Sequence, residues 1–135
     1  MPTIFSKIIS GEIPCHKVAE DDRCLSFLDI RPIVFGHTLV IPKVEVDYYF
    51  DLDDEYLAHL NVFAKGVAKI LREHVECLRI GVMVAGLEVP HAHIHLVPMN
   101  SIGDLSFTNE RVQVNQEEMA ALATRLSLAY SSSKR

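Results

Sequence analysis

The sequence predicts an α+β fold, an antiparallel sheet with helices packed on one face. Three observations carry this. Short apolar runs bounded by Gly, Pro and Asp recur over the first hundred residues. One long amphipathic stretch, from about Asp53 to His74, divides them into two groups. The second group ends in Pro-His-Ala-His-Ile-His-Leu-Val-Pro, residues 90–98, whose period of two belongs to a strand.

In chain order, Ile4, Phe5, Ile8 and Ile9 fall at helical spacing, and Gly11 with Pro14 stops that element. His16 to Ala19 and Cys24 to Leu28 read as two strands about the turn Glu20-Asp21-Asp22-Arg23, the second closed by Asp29 and Pro32. Thr38 to Ile41 is a short strand ended by Pro42, with Gly36 and His37 at its mouth. In the long helix Leu57, Leu60, Phe63, Ala64, Val67, Ile70 and Leu71 make one apolar stripe. Asp53, Asp54 and Glu55 open it and Lys69, Arg72 and His74 lie near its end, as the helix dipole prefers. Leu78 to Val84 is a further strand, and Gly86 breaks it before the histidine run. A last helix starts after Asn115, where Asn-Gln-Glu-Glu resembles a capping box, and runs to about Tyr130.

His91, His93 and His95 are three of the chain's seven histidines, packed into five residues. On a strand they form one row, with Ala92, Ile94 and Leu96 on the other face. A solvated face would be served better by Lys, Glu, Thr or Ser. Strand rise separates neighbours in the row by about 6.6 Å and its ends by about 13 Å, too far for all three to share one metal ion. A two-histidine metal site would need further ligands, with Glu88, His37 and Asp104 as candidates. A row in which each ring has its own task fits better, since a neutral imidazole is an effective nucleophile toward phosphorus at pH 7.

A chain of 135 residues makes one domain, 1–135. Its net charge of −5 argues against nonspecific binding to nucleic acid or to an anionic membrane. The start lacks a signal peptide's apolar stretch, and no apolar run approaches a bilayer span. Cys15, Cys24 and Cys77 are odd in number and show no Cys-x-x-Cys spacing, which suits unpaired thiols in a reducing cytoplasm.

The run from His91 to Val97 resembles the histidine-triad (HIT) signature, His-φ-His-φ-His-φ-φ with φ apolar. Ile4 to Pro14 is similar to that family's opening helix, Glu20 to Ile30 to its nucleotide-binding strand, and His37 to Lys43 to its next core strand. The matching segments stand in the family's order from about residue 3 to residue 98, leaving 99–135 as an extension with a helix near 116–130. The nearest likeness is to the Hint branch, the nucleoside phosphoramidases.

This resemblance implies a HIT-like α+β fold: a five-stranded antiparallel sheet, one long helix, and short N-terminal and C-terminal helices. It implies a homodimer paired through the long helix and adjacent strand. It also implies a purine nucleotide cleaved at the α-phosphorus through a covalent nucleotidyl-histidine, with no cofactor required. By position, His93 is the nucleophile, and His95 contacts the phosphate and protonates or positions the leaving group. His91 and His37 orient the site, and a backbone carbonyl fixes the His93 tautomer. Asp29 takes the ribose hydroxyls, while Phe5, Ile8, Phe27 and Ile30 wall the base.

Three departures matter. Thr3 and Ser6 stand where the family often has Cys-x-x-Cys for a structural zinc, so no zinc is expected there. The loop before the triad is shortened. Gly86-Leu87-Glu88-Val89 replaces the Gly-Gln-Ser-Val of the Hint branch, which removes two polar contacts on the phosphate side. Glu88 would repel an anionic substrate unless it faces away or meets a basic leaving group. Three other readings stay open: a dinucleoside polyphosphate hydrolase, a nucleotide-binding scaffold with incidental activity, and a metal-dependent hydrolase.

Overall fold

A computed structural model describes residues 2–133. Helix α1 (Ile4–Ser10) precedes strands β1 (Lys17–Glu20), β2 (Cys24–Leu28) and β3 (Thr38–Pro42). After a 3₁₀ turn at Tyr49–Asp51 come helix α2 (Asp54–His74) and strands β4 (Arg79–Met83) and β5 (Ile94–Met99). A second 3₁₀ turn, Ile102–Asp104, leads by an irregular segment to α3 (Gln116–Ser133). The strands form one antiparallel sheet in the order β1-β2-β3-β5-β4. The expected five-stranded α+β architecture is therefore present. Among the described residues no helix is long and apolar enough to cross a membrane.

Strand alternation sorts the core into two layers. Cys24 and Leu28 of β2, Val40 of β3, and Ala92, Ile94 and Leu96 beside or in β5 join the apolar stripe of α2 and, from α3, Met119, Leu122 and Leu126. The intervening residues Leu25, Phe27, Leu39 and Ile41 pack on the other face with Phe5 of α1. Helices thus cover both faces, not one as expected, which explains why every residue of β2 and β3 is buried. α1 is short and covers only part of its face. The remainder carries the histidines.

Local chemistry sets the ends of these elements. The Thr3 hydroxyl caps α1 by accepting from the Ser6 N–H, and Gly11 closes it with φ 89°. Asp53 caps α2 through the Tyr56 N–H, and Asn115 accepts from the N–H groups of Glu117 and Glu118 at the start of α3. Most boundaries lie within a few residues of the expected ones, with β1 at Lys17–Glu20, β3 taking in Pro42, β4 at Arg79–Met83 and α3 reaching Ser133, and those of β5 differ for reasons visible in the backbone. β5 begins at Ile94, because the Ala92 N–H donates to the Val46 carbonyl and the His91 N–H to the Val89 carbonyl, outside the ladder. Pro98 does not end β5: it pairs with Ile80 of β4, and β3 has already stopped opposite Leu96.

Candidate active site

Four histidines meet on the open part of the sheet, and all four are buried. His37 arrives through a tight turn at Gly36, whose φ is 95° and where a Cβ would lie 3.1 Å from Val75 and 3.2 Å from Pro98. His95 is held in register opposite Leu39 of β3 and Met83 of β4.

The hydrogen bonds fix the tautomers. His37 Nδ1 accepts from the Ile33 N–H at 3.0 Å, so Nε2 carries that ring's proton. His37 Nε2 donates to His95 Nδ1 at 2.9 Å, which puts the His95 proton on Nε2. His93 runs the other way. Its Nδ1 lies 2.7 Å from the His91 carbonyl, which can only accept, so Nδ1 holds the proton and Nε2 keeps a free lone pair. His91 Nε2 donates to the Pro42 carbonyl at 2.9 Å, leaving Nδ1 to accept the Thr3 hydroxyl at 2.9 Å. A bare Nε2 on His93 therefore stands next to a donor Nε2–H on His95, with the ring centres 4.8 Å apart.

Burial favours the neutral form of three of these rings. It pushes His37 down to about 4 and His95 down to about 3, and holds His93 below its ordinary value. Asp29 Oδ2 lies 3.6 Å from His37 Nε2, but with His37 neutral this is a polar contact and not an ion pair.

The titration carries a sign. Above pH 6.5 folded and unfolded chains both hold these rings neutral, and no stability is lost. As pH falls from 6.5 toward 4 the unfolded chain takes up protons that the folded one refuses, so stability falls with pH. Asp29, raised by burial, titrates in the opposite sense and offsets part of this at the acid end. Thermal melts at pH 7, 6 and 5 should show Tm dropping stepwise, with a shallower slope in His37→Asn. A flat profile would contradict the buried neutral pair.

Among the described residues, three cavities are seen to border His93. One of 180 Å³ is lined by Ile4, Phe5, Asp29, Ile30, Leu39 and Val89. A second, of 220 Å³, is lined by Gly86, Leu87, Phe107 and Arg111, and Glu88 and His95 face both. The third, 290 Å³, lies against Tyr48, Tyr49, Phe50 and Leu87. Of the expected base wall, Phe5 and Ile30 line the first cavity. Phe27 stands behind Phe5 at 5.7 Å between rings, and Ile8 packs with it in that core layer; neither lines the cavity. Ile4 and Leu39 take those places.

Glu88 points toward Arg111, with 4.0 Å between Oε1 and Nη2, so its charge is partly met. Phe107 and Arg111 come from the segment after the sheet and lie outside the expected site residues. Phe107 lies edge-on to His95 at 4.6 Å. No periodicity marks either residue.

Two clusters beside the site bear on metals, apart from Asp21, Cys24 and His59 elsewhere among the described residues. Thr3 and Ser6 form a clasp: the Thr3 N–H and the Ser6 hydroxyl both donate to Glu45 Oε1, and the Thr3 hydroxyl holds His91. Neutral hydroxyls in place of thiolates make this donor set unsuited to a structural zinc. Asp29, His37 and His95 bring ligand atoms within 4.8 Å of one another. Both nitrogens of His37 and Nδ1 of His95 are already spent on hydrogen bonds, so that group does not fit a metal without dismantling the chain.

Residues 10–102 match the HIT domain. The chain belongs to the HIT domain family. It is 36% identical over 129 residues to adenosine 5'-monophosphoramidase hnt1 of Schizosaccharomyces pombe, covering 94% of this chain and 97% of that one. It is 40% identical over 96 residues to the Saccharomyces cerevisiae adenosine 5'-monophosphoramidase HNT1, covering 70% and 61% of the two chains. Among solved structures, a hypothetical histidine triad nucleotide-binding protein from Sulfolobus tokodaii superposes with a TM-score of 0.84 at 28% identity, covering 98% of this HIT chain and 94% of its own.

Proposed function

We propose that this HIT protein is a nucleotide hydrolase that cleaves purine nucleoside 5'-phosphoramidates at the α-phosphorus through a nucleotidyl-His93 intermediate. The observation that carries the reading is the pair of opposed tautomers, a free lone pair on His93 Nε2 beside an N–H on His95 Nε2. The phosphoramidase names of the two yeast relatives support the substrate class.

The base enters the cavity under Phe5 and Ile30, and Asp29 accepts from the ribose hydroxyls. His93 Nε2 attacks in line. A bond from Nε2 to phosphorus forms as the phosphorus–nitrogen bond breaks, and the amine leaves with a proton taken from solvent. His95 stabilises charge on a nonbridging oxygen through its Nε2–H. It positions and does not protonate, because losing that proton would leave an imidazolate in a buried chain whose far end is an amide N–H. Water then hydrolyses the phosphorus–His93 bond and releases the nucleotide. No step calls on a metal or cofactor.

Relative kcat/KM for adenosine phosphoramidate and diadenosine tetraphosphate tests the reading. We expect the phosphoramidate to be preferred by at least about 10-fold, on the order of one lost polar contact. The reverse preference would make the protein a polyphosphate hydrolase. Binding of adenosine monophosphate (AMP) without turnover of either would make it a nucleotide-binding scaffold. The three cysteines are unpaired, which suits a reducing cytoplasm. Val62, Leu78 and Val82 are exposed on α2 and on or beside β4, and β4 has a single sheet neighbour, which supports a homodimer built across that edge.

A further inference from the structure

Arg111 lies in the irregular segment between the Ile102–Asp104 turn and α3, yet its side chain is only 23% exposed. Its Nη1 is buried and has no hydrogen-bond partner among the described residues. Its nearest carboxylate, Glu88, is 4.0 Å from Nη2, too far for a hydrogen bond. A buried guanidinium nitrogen left without an acceptor is costly, and folds retain such a group when something else supplies the acceptor.

The position of the guanidinium shows what that is. It borders both the Asp29 cavity and the Leu87 cavity, whose common walls are Glu88, His93 and His95. On the proposed reading, a phosphorus in front of His93 lies against these shared walls. The histidines there are neutral and Asp29 and Glu88 are acidic, so the pocket lacks positive charge for an anion without Arg111. Arg31, the other basic residue on the wall, is exposed. The segment is held in place at three points. Leu105 packs so tightly on β4 that a Cβ at Gly81 would lie 2.7 Å from it. The Val112 N–H donates to the Pro32 carbonyl at 2.9 Å. The Arg111 guanidinium stands over the Phe107 ring at 5.9 Å, and that ring abuts His95.

We propose that Arg111 is a phosphate-binding residue. When a nucleotide binds, its guanidinium exchanges the long contact with Glu88 for nonbridging oxygens of the phosphoryl group being transferred. A planar fork of donors suits that task. The segment after the sheet is thereby part of the active site and recognises the phosphoryl group shared by every substrate, whatever the leaving group. The inference rests on the reading that the nucleotide phosphorus lies before His93.

Calorimetric titration of wild type, Arg111→Gln, Arg111→Lys and Glu88→Gln with AMP and with adenosine tests it. Arg111→Gln should bind AMP about 10- to 100-fold more weakly while binding adenosine as wild type does. Arg111→Lys should recover part of the loss, and Glu88→Gln should bind AMP at least as tightly as wild type. In turnover, Arg111→Gln should lower kcat/KM by a similar factor for phosphoramidate and polyphosphate substrates. Unchanged AMP binding in Arg111→Gln, or an equal loss for AMP and adenosine, would overturn the assignment while leaving the functional reading intact. Failure of wild type to bind AMP or adenosine would instead remove the functional reading, and this inference with it.

Discussion

His93→Ala should lose at least about 10⁴-fold in kcat on adenosine phosphoramidate, the scale of removing a covalent nucleophile, while holding AMP within a few-fold of wild type. The asymmetry follows from where the ring sits. His93 borders the cavities but does not build them: Phe5, Asp29, Ile30 and Arg111 line the first one independently. Its ring contacts are edge-on, to Phe5 at 5.1 Å and to His95 at 4.8 Å between ring centres, so truncation leaves a void and an unpaired His91 carbonyl but no unpaired buried charge. Steady-state kinetics and calorimetry together check this. Loss of less than about 100-fold, the scale of a supporting residue, would assign the chemistry elsewhere.

His37→Phe should carry the second large effect, a loss of about 10- to 100-fold in kcat with a cost of about 1–3 kcal/mol for each partner left unpaired. Phenylalanine resembles the ring in shape but removes two hydrogen bonds at once. The Ile33 N–H loses its acceptor, and His95 Nδ1 loses the donor that keeps its proton on Nε2. His95 is then free to place its proton on Nδ1, presenting a lone pair to an anionic phosphoryl group. Nitrogen chemical shifts of His95 separate this from mere loosening. Wild type should show the Nε2–H tautomer, and His37→Phe a mixture. A single unchanged tautomer in the variant would show that His37 acts on stability alone.

Much of this architecture is legible from residue patterns, because burial imposes short periods on strands and helices. The histidine row, the stripe of α2 and the caps at Asp53 and Asn115 all obey local rules that the structure repeats. The face on which α1 packs is not marked in its own residues, although β2 carries the clue. Cys24-Leu-Ser-Phe-Leu28 has no charged or long polar alternation, as a strand covered on both faces requires. β5 starts later than the histidine row suggests because the His91 and Ala92 amides bond to loop carbonyls, a choice made by residues 2 and 46 positions away. The Thr3 clasp joins residues 42 and 88 apart, and Arg111 meets Glu88 only through the path of an irregular segment. Such juxtapositions leave no periodic trace. The same contact changes the meaning of Glu88, a repulsive charge when read alone and a partner for a guanidinium once the fold is known.

Rapid quench in alkaline denaturant, which preserves a phosphorus–nitrogen bond, of enzyme mixed with adenosine phosphoramidate labelled in the nucleotide tests the central claim most directly. Peptide mapping by mass spectrometry should find one adenylyl group on the peptide carrying residues 91–95, attached to His93, at early times in wild type and absent from His93→Ala. Turnover that leaves no protein-bound nucleotide at any time, together with normal hydrolysis by His93→Ala, would contradict it.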